Sequence, residues 1–349
     1  MKKKNIFGRK FIELTGCIHN HTEYSYDCNI KLSRLIREAK LRELDYVTIN
    51  DHLSLKAKTD RYVLKEKDLM VIVGAEINDT TNNHHYLVFN TNTIVKGKEV
   101  EEYVEYYAQS GAIGFAAHPF EKRICDKFRK YEWKKTEVND FDGIEIWNYL
   151  SEWIGKMKPK LNGIFMIIFP TLFIRKPFRE ILNWWDKLNI EGKRKSAIGS
   201  VDAHTEHMKK FGIKFKFLRH RTLYKSIRTN LLVEDHKDLN EENLLAAMKN
   251  GNSYIVNYMT GNPFNFFAGI SGKNGNNAIL GEEITFSEDL KFYFRLPKIA
   301  KVSLFKDGKK VAYKRDEKGA FEINGKGNYR LEITRFGSGW IYTNNIFVV

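Results

Sequence analysis

The sequence predicts an α/β fold: a barrel of seven strands with helical crossovers, followed by a small all-β, sandwich-like domain. Two observations carry this expectation. From residue 15 to 204, short apolar runs alternate with helical stripes, the pattern of βαβ units in a mostly parallel sheet. After about residue 260 the apolar period shortens to two, as half-buried antiparallel strands require.

Seven strands are expected at 15–19, 46–50, 71–75, 86–90, 114–117, 143–147 and 197–201. Between them Leu32, Leu35, Ile36 and Ala39 form one helical stripe. Val100, Tyr103, Val104, Tyr107 and Ala108 form a second, with Gly111 placed to end it. Phe178, Ile181, Leu182, Trp185 and Leu188 form a third before Gly192. In the tail, Phe292, Phe294 and Leu296 alternate with other residues, and Asp307-Gly308 reads as a hairpin turn. The expected division is a barrel over 1–260, with an apolar and basic insertion at about 150–180, and a β domain over 263–349.

Composition narrows the class. With 42% hydrophobic and 13% aromatic residues, the 349-residue chain can bury packed cores. The longest apolar run, Leu161 to Ile174, contains Asn162 and Pro170 and is shorter than the roughly 20 residues that span a bilayer. The basic N-terminus has no apolar stretch or cleavage site, and three cysteines make no disulfide framework, so a cytoplasmic protein is expected. Of the net charge of +15, residues 151–262 carry +9, a bias that suits nucleic acid, anionic lipid, a phosphorylated small molecule or mere solubility.

All ten histidines lie between residues 19 and 236. His19 and His21 stand just beyond the first expected strand, Asp51 and His52 follow the second, and Glu76 ends the third. His84 and His85 open the fourth, His118 closes the fifth, Glu145 lies late in the sixth, and Asp202 and His204 follow the seventh. The C-terminal rim of a β/α barrel is where residues from separate strands converge. Mixed imidazoles and carboxylates suit Zn, Mn or Fe. No G-x-S-x-G elbow and no glycine-rich phosphate loop is present, so serine-nucleophile and nucleotide-binding chemistries lose their usual support.

HNHTEYSYD (19–27), TINDH (48–52), GAEI (74–77), AAHPF (116–120) and SVDAH (200–204) resemble the successive motifs of the PHP (polymerase and histidinol phosphatase) metal-dependent hydrolases. DGIEIWN (142–148), WWDKLNIEGKR (184–194) and the tail GWIYTNNIFVV are similar to the CehA/McbA-like branch, with Asn345 in place of that branch's usual proline. The resemblance implies a distorted (β/α)7 barrel of PHP type with two or three divalent transition-metal ions at its rim. It places the first ion on His19, His21, Glu76 and Asp202, the second on Glu76, His118 and His85, and the third on Asp27, His52 and His204. His85 is preferred to His84 because it abuts the apolar strand YLVF.

The expected activity is hydrolysis, first of a phosphoester, by a hydroxide bridging two ions. Asp202 or His204 relays protons and Asp51 orients a ligand, while Arg123, Glu145, Asn148 and His207 contact substrate. A carboxyl or carbamate ester is the alternative, and a non-catalytic binder of nucleic acid or anionic surfaces a second. The apolar run, flanked by Lys156, Lys158, Lys160, Arg175, Lys176 and Arg179, is either a barrel or dimer contact or a peripheral site for anionic membrane. The expected partner is a small, anionic ester.

Overall fold

The computed structural model describes residues 1–158, 162–169, 172–204, 206–210 and 213–349; for 206–210 and 213–217 it describes the backbone alone. Two compact units emerge. One comprises residues 15–174 and 199–228, the other residues 1–14, 175–198 and 229–349. Neither is one continuous stretch, whereas the sequence reading placed a single division near residue 260.

The chain opens with β1 (Lys2–Ile6) and β2 (Arg9–Asn20). Then come β3 (Tyr46–His52), β4 (Met70–Ile77), β5 (Tyr86–Phe89), β6 (Ile113–Ala116), β7 (Gly143–Asn148) and β8 (Ser196–Ala203). Strands β2 to β8 form the closed seven-stranded barrel. Pairing is parallel for β2–β3, β3–β4, β6–β7 and β2–β8, but antiparallel for β4–β5 and β5–β6. Strand β5 therefore runs against the others, a reversal that apolar patterning cannot report because it is blind to direction. Every residue of β3, β5, β6 and β7 is buried, which explains the continuous apolar runs of β5 (YLVF) and β6 (IGFA).

The expected helices form at Leu32–Lys40, Val100–Gln109 and Arg179–Ile190. Val100–Gln109 starts where the Glu102 carboxylate accepts the Glu99 N–H at 3.0 Å. It buries Val100, Tyr103, Val104 and Tyr107, and stops before Gly111, whose φ of 73° favours a residue without a Cβ. Each such side chain withdrawn from water stabilises the fold by roughly 1.5–3 kcal/mol. Between the sixth and seventh barrel strands the chain adds helices Tyr149–Lys156 and Gly163–Ile168.

The other unit is β-rich. After the barrel unit's hairpin of β9 (Glu206–Lys210) and β10 (Ile213–Phe217), it takes in most of β11 (Ile227–Glu234), then helix Glu241–Lys249, β12 (Ser253–Asn257), β13 (Phe267–Ser271), β14 (Asn277–Ala278) and β15 (Glu283–Ile284). Long strands β16 (Lys291–Lys306) and β17 (Lys309–Glu322) pair through Asp307-Gly308, the turn expected from sequence, with φ of 47° and 72°. Strands β18 (Gly327–Arg335), β19 (Ser338–Thr343) and β20 (Ile346–Val348) complete it, packing Phe292, Phe294, Leu304, Leu331 and Trp340 into one core. No helix among the described residues is long and apolar enough to cross a membrane.

Candidate metal centre

The barrel gathers at one rim the side chains that the sequence spreads over almost two hundred positions. Glu76, at the end of β4, is 1% exposed and sits at the middle. Its Oε1 lies 2.7 Å from His85 Nδ1 and 3.2 Å from His118 Nε2. Its Oε2 lies 3.0 Å from His19 Nε2 and 3.3 Å from both His21 Nε2 and His52 Nε2. Asp202 Oδ1 stands 3.5 Å from the same nitrogens of His19 and His21. Asp27 Oδ2 accepts from His204 Nε2 at 2.8 Å and is 3.1 Å from His52 Nε2. All nine proposed ligands therefore meet in one cluster.

Local backbone geometry aims them. His19, His118 and Asp202 all have positive φ, at 65°, 29° and 49°, a conformation that costs energy in residues with a Cβ. The pairing register of β2 shifts on both sides around His19, so the strand bulges there and turns the imidazole inward. Because β5 is reversed, its ligand His85 precedes the strand, yet reaches the same rim as residues that end β3, β4 and β8. Asp27 does not cap the helix at Leu32–Lys40, whose N-terminus is Lys31 without a side-chain cap.

Electrostatics reflect the crowding. Burial alone would raise the carboxyl pKa values, but the surrounding imidazoles outweigh it and hold Glu76, Asp202 and Asp27 below the usual range. Burial likewise opposes charge on His19 and His21, yet Asp202 and Glu76 carry both well above the ordinary value, and His118 is raised to about 9. His52 is lowered, since there burial dominates. Protons thus take up the positive charge that this nest of carboxylates demands.

Divalent cations fit the same donors. His21 Nε2, His52 Nδ1 and His118 Nδ1 are buried without a hydrogen-bond partner. Among the described residues, four overlapping groups offer donor atoms within 4.8 Å of one another: His21, Asp27, His52 and His204; His19, His21 and Glu76; His19, His118 and Asp202; and His52, Glu76 and His85. Mixed imidazole and carboxylate donors at that spacing match transition-metal chemistry.

Several expected substrate contacts fall elsewhere. Glu145 and Asn148 lie behind the ligands and not on the cavity wall. Glu145 Oε1 pairs with His19 Nδ1 at 2.8 Å, while its Oε2 accepts from the His118 backbone at 2.7 Å and from Asn148 Nδ2 at 2.8 Å. Asn148 Nδ2 also reaches Asp202 Oδ2 at 3.2 Å. Asp51 is bound to Thr22, accepting its N–H at 2.6 Å and its hydroxyl at 2.7 Å, so it shapes the loop after β2 and does not reach the reacting side. His84 pairs with Asp79 and receives the Lys135 N–H at 3.3 Å, away from the cluster. The His207 side chain lies outside the described residues.

Arg123 does line the cavity, a space of about 140 Å³ over the ligands. Its guanidinium is committed to Glu121 at 2.6 Å and to the carbonyls of Lys122 and Arg129. The rest of the wall is Tyr26, Asn82, Glu121, Tyr131, Leu150 and Ile154, none of which the sequence reading singled out. Tyr26 stacks on His52 with ring centres 4.7 Å apart, and Tyr131 leans on His85 at 4.8 Å. Tyr26 falls inside the HNHTEYSYD motif and could have been noticed, whereas Glu121 and Tyr131 sit in a loop without periodicity.

Residues 18–188 match the family model of the PHP domain. The match takes in every proposed ligand except Asp202 and His204. No curated protein matches the chain closely enough to count as a relative. Among solved structures, it is similar to a two-domain protein of Bacteroides vulgatus containing a PHP-like region inferred to be a metal-dependent phosphoesterase. That pair shares 14% identity over 99% of this chain and 98% of the other, with a TM-score of 0.49. It is also similar to a Bifidobacterium adolescentis protein inferred to be a metal-dependent phosphoesterase, at 13% identity over 54% of this chain and 86% of that one, with a TM-score of 0.36.

Proposed function

We propose that this chain is a metal-dependent hydrolase of an anionic ester, first of all a phosphoester. One observation carries the reading: a buried carboxylate, Glu76, is faced by five imidazoles, three of which keep a buried ring nitrogen without a hydrogen-bond partner. His19, His21, Glu76 and Asp202 would hold a first divalent cation, and Glu76 with His85 and His118 a second. Asp27, His52 and His204 would hold a third. When bound, such cations polarise a phosphoryl or carbonyl oxygen and acidify water.

The chain's own residues do the rest. Glu145 fixes the His19 ring and the His118 backbone together, so two ligands from different strands keep one spacing. Asn148 steadies Asp202. Tyr26, Tyr131, Leu150 and Ile154 line the cavity. If only the first two positions are filled, His204 Nε2, held by Asp27, is the group placed to pass a proton to the leaving oxygen.

The commitment of Arg123 to Glu121 favours a second reading, a carboxyl or carbamate ester, because it neutralises the cation on the wall. Metal analysis of protein purified without chelators, followed by turnover of p-nitrophenyl phosphate, its bis-ester and p-nitrophenyl acetate, tests both. Turnover of the acetate alone would overturn the phosphoester reading. A protein that takes up no metal would overturn both.

A further inference from the structure

The unit that holds the metal cluster also carries an apolar surface that the described chain leaves uncovered. Helix Gly163–Ile168 is seated by Met166, which is fully buried and whose carbonyl accepts from Trp153 Nε1 at 3.4 Å. Outward, Ile164 is 64% exposed, Phe165 48%, Ile168 62%, Phe169 46% and Leu172 56%. The Phe165 and Phe169 rings meet at 4.9 Å. Single exposed apolar residues are ordinary; a contiguous set on one short segment marks a surface with a partner.

Basic residues adjoin it. Ile124, itself 55% exposed, donates its backbone N–H to the Gly155 carbonyl at 3.2 Å. That bond ties the loop 121–130 to the helix leading into the apolar segment. The loop exposes Lys122, Lys127, Arg129 and Lys130 against a single exposed acid, Asp126, and Lys158 is exposed just ahead of the segment. We infer that this face docks on an anionic lipid bilayer, with Ile124, Ile164, Phe165, Ile168 and Phe169 entering the acyl boundary and the lysines meeting headgroup phosphates. Charge selects this occupant over a second copy, because a two-fold contact would set the same cations against themselves. Helix Tyr149–Lys156 joins the face to the cavity, since its Leu150 and Ile154 line the latter. The docking stands independently of the hydrolase reading.

The test is co-sedimentation of the full chain with phosphatidylcholine vesicles, with and without phosphatidylglycerol, at low and high salt. The expected result is at least about tenfold tighter binding to the anionic vesicles, weakened by salt. Ile164→Ser with Phe165→Ser and Phe169→Ser should reduce binding about tenfold or more, and Lys127→Glu with Lys130→Glu should remove the preference for anionic lipid. Metal content and thermal unfolding of the same preparations show that the variants are folded. The inference is overturned if the wild type ignores anionic vesicles, or if the serine variant binds them as well as the wild type does. It is equally overturned if light scattering shows a wild-type dimer that the serine variant dissolves while vesicles bind neither, for then the face joins copies of this chain. Because binding is read without turnover, its failure leaves the hydrolase reading intact.

Discussion

Glu145 Oε1 lies 2.8 Å from His19 Nδ1, and the opposite nitrogen of that ring faces Glu76 at 3.0 Å. An imidazole held between two carboxylates has its ring plane fixed before any cation arrives. Glu145→Gln retains the shape but weakens this grip and sets an amide against the His118 N–H. Affinity for the most tightly held cation should fall about 10–100-fold, with the KM of any hydrolysed ester little changed because Glu145 is off the cavity wall. Calorimetric metal titration alongside steady-state kinetics checks the split.

Glu76→Gln strikes two cation positions at once. It should cut the bound metal by more than a single-ligand change such as His52→Ala does, and lower turnover by at least about a thousandfold. Elemental analysis of the two variants, purified side by side, decides it. Equal metal loss would mean that Glu76 serves one position only.

Protonation should make the metal-stripped protein sensitive to alkali. Burial opposes charge on His118, but Glu76, Glu121 and Asp202 raise it to about 9 against an ordinary 6.5. A raised pKa adds stability that is whole below about pH 6.5 and fades as pH climbs through 9. Thermal unfolding of chelated protein should therefore fall across that window, by on the order of 3 kcal/mol from this group. Metal-loaded protein should not show the fall, since a cation replaces the proton.

Gly308 offers a control remote from metal chemistry. It takes φ of 72° in the turn joining β16 to β17, and a Cβ there would approach Asp186 Cβ at 2.9 Å. Gly308→Ala should destabilise by about 1–3 kcal/mol. The thermal midpoint should drop while metal content stays constant.

Much of this site could be read before any coordinates. His19, His21, His52, Glu76, His118, Asp202 and His204 each end or follow an apolar run, and a barrel brings such positions to one rim. What composition and periodicity could not show is orientation. Asn148 ends its strand and Glu145 lies in the middle of it, yet both fall behind the ligands, whereas Glu76, next to last in its own strand, faces them. Asp51 and His52 are adjacent, yet only His52 faces the cluster. Alternation along a strand assigns faces only when one face meets water, and β3 and β7 are buried throughout. Glu121 and Tyr131 were illegible because their loop has no period to read.

The reversal of β5 gives His85 a different kind of tether from its neighbours. Five strands, β2, β3, β4, β6 and β8, deliver their donors near the point where each leaves the sheet, so changing any of those donors' positions disturbs a crossover. His85 instead arrives from the short connection after β4, whose turn at Asp79–Asn83 is closed by its own hydrogen bonds. Lengthening or trimming that connection would slide one imidazole along Glu76 without moving any other strand. One imidazole of the cluster thus hangs on a joint whose length is independent of the helical crossovers.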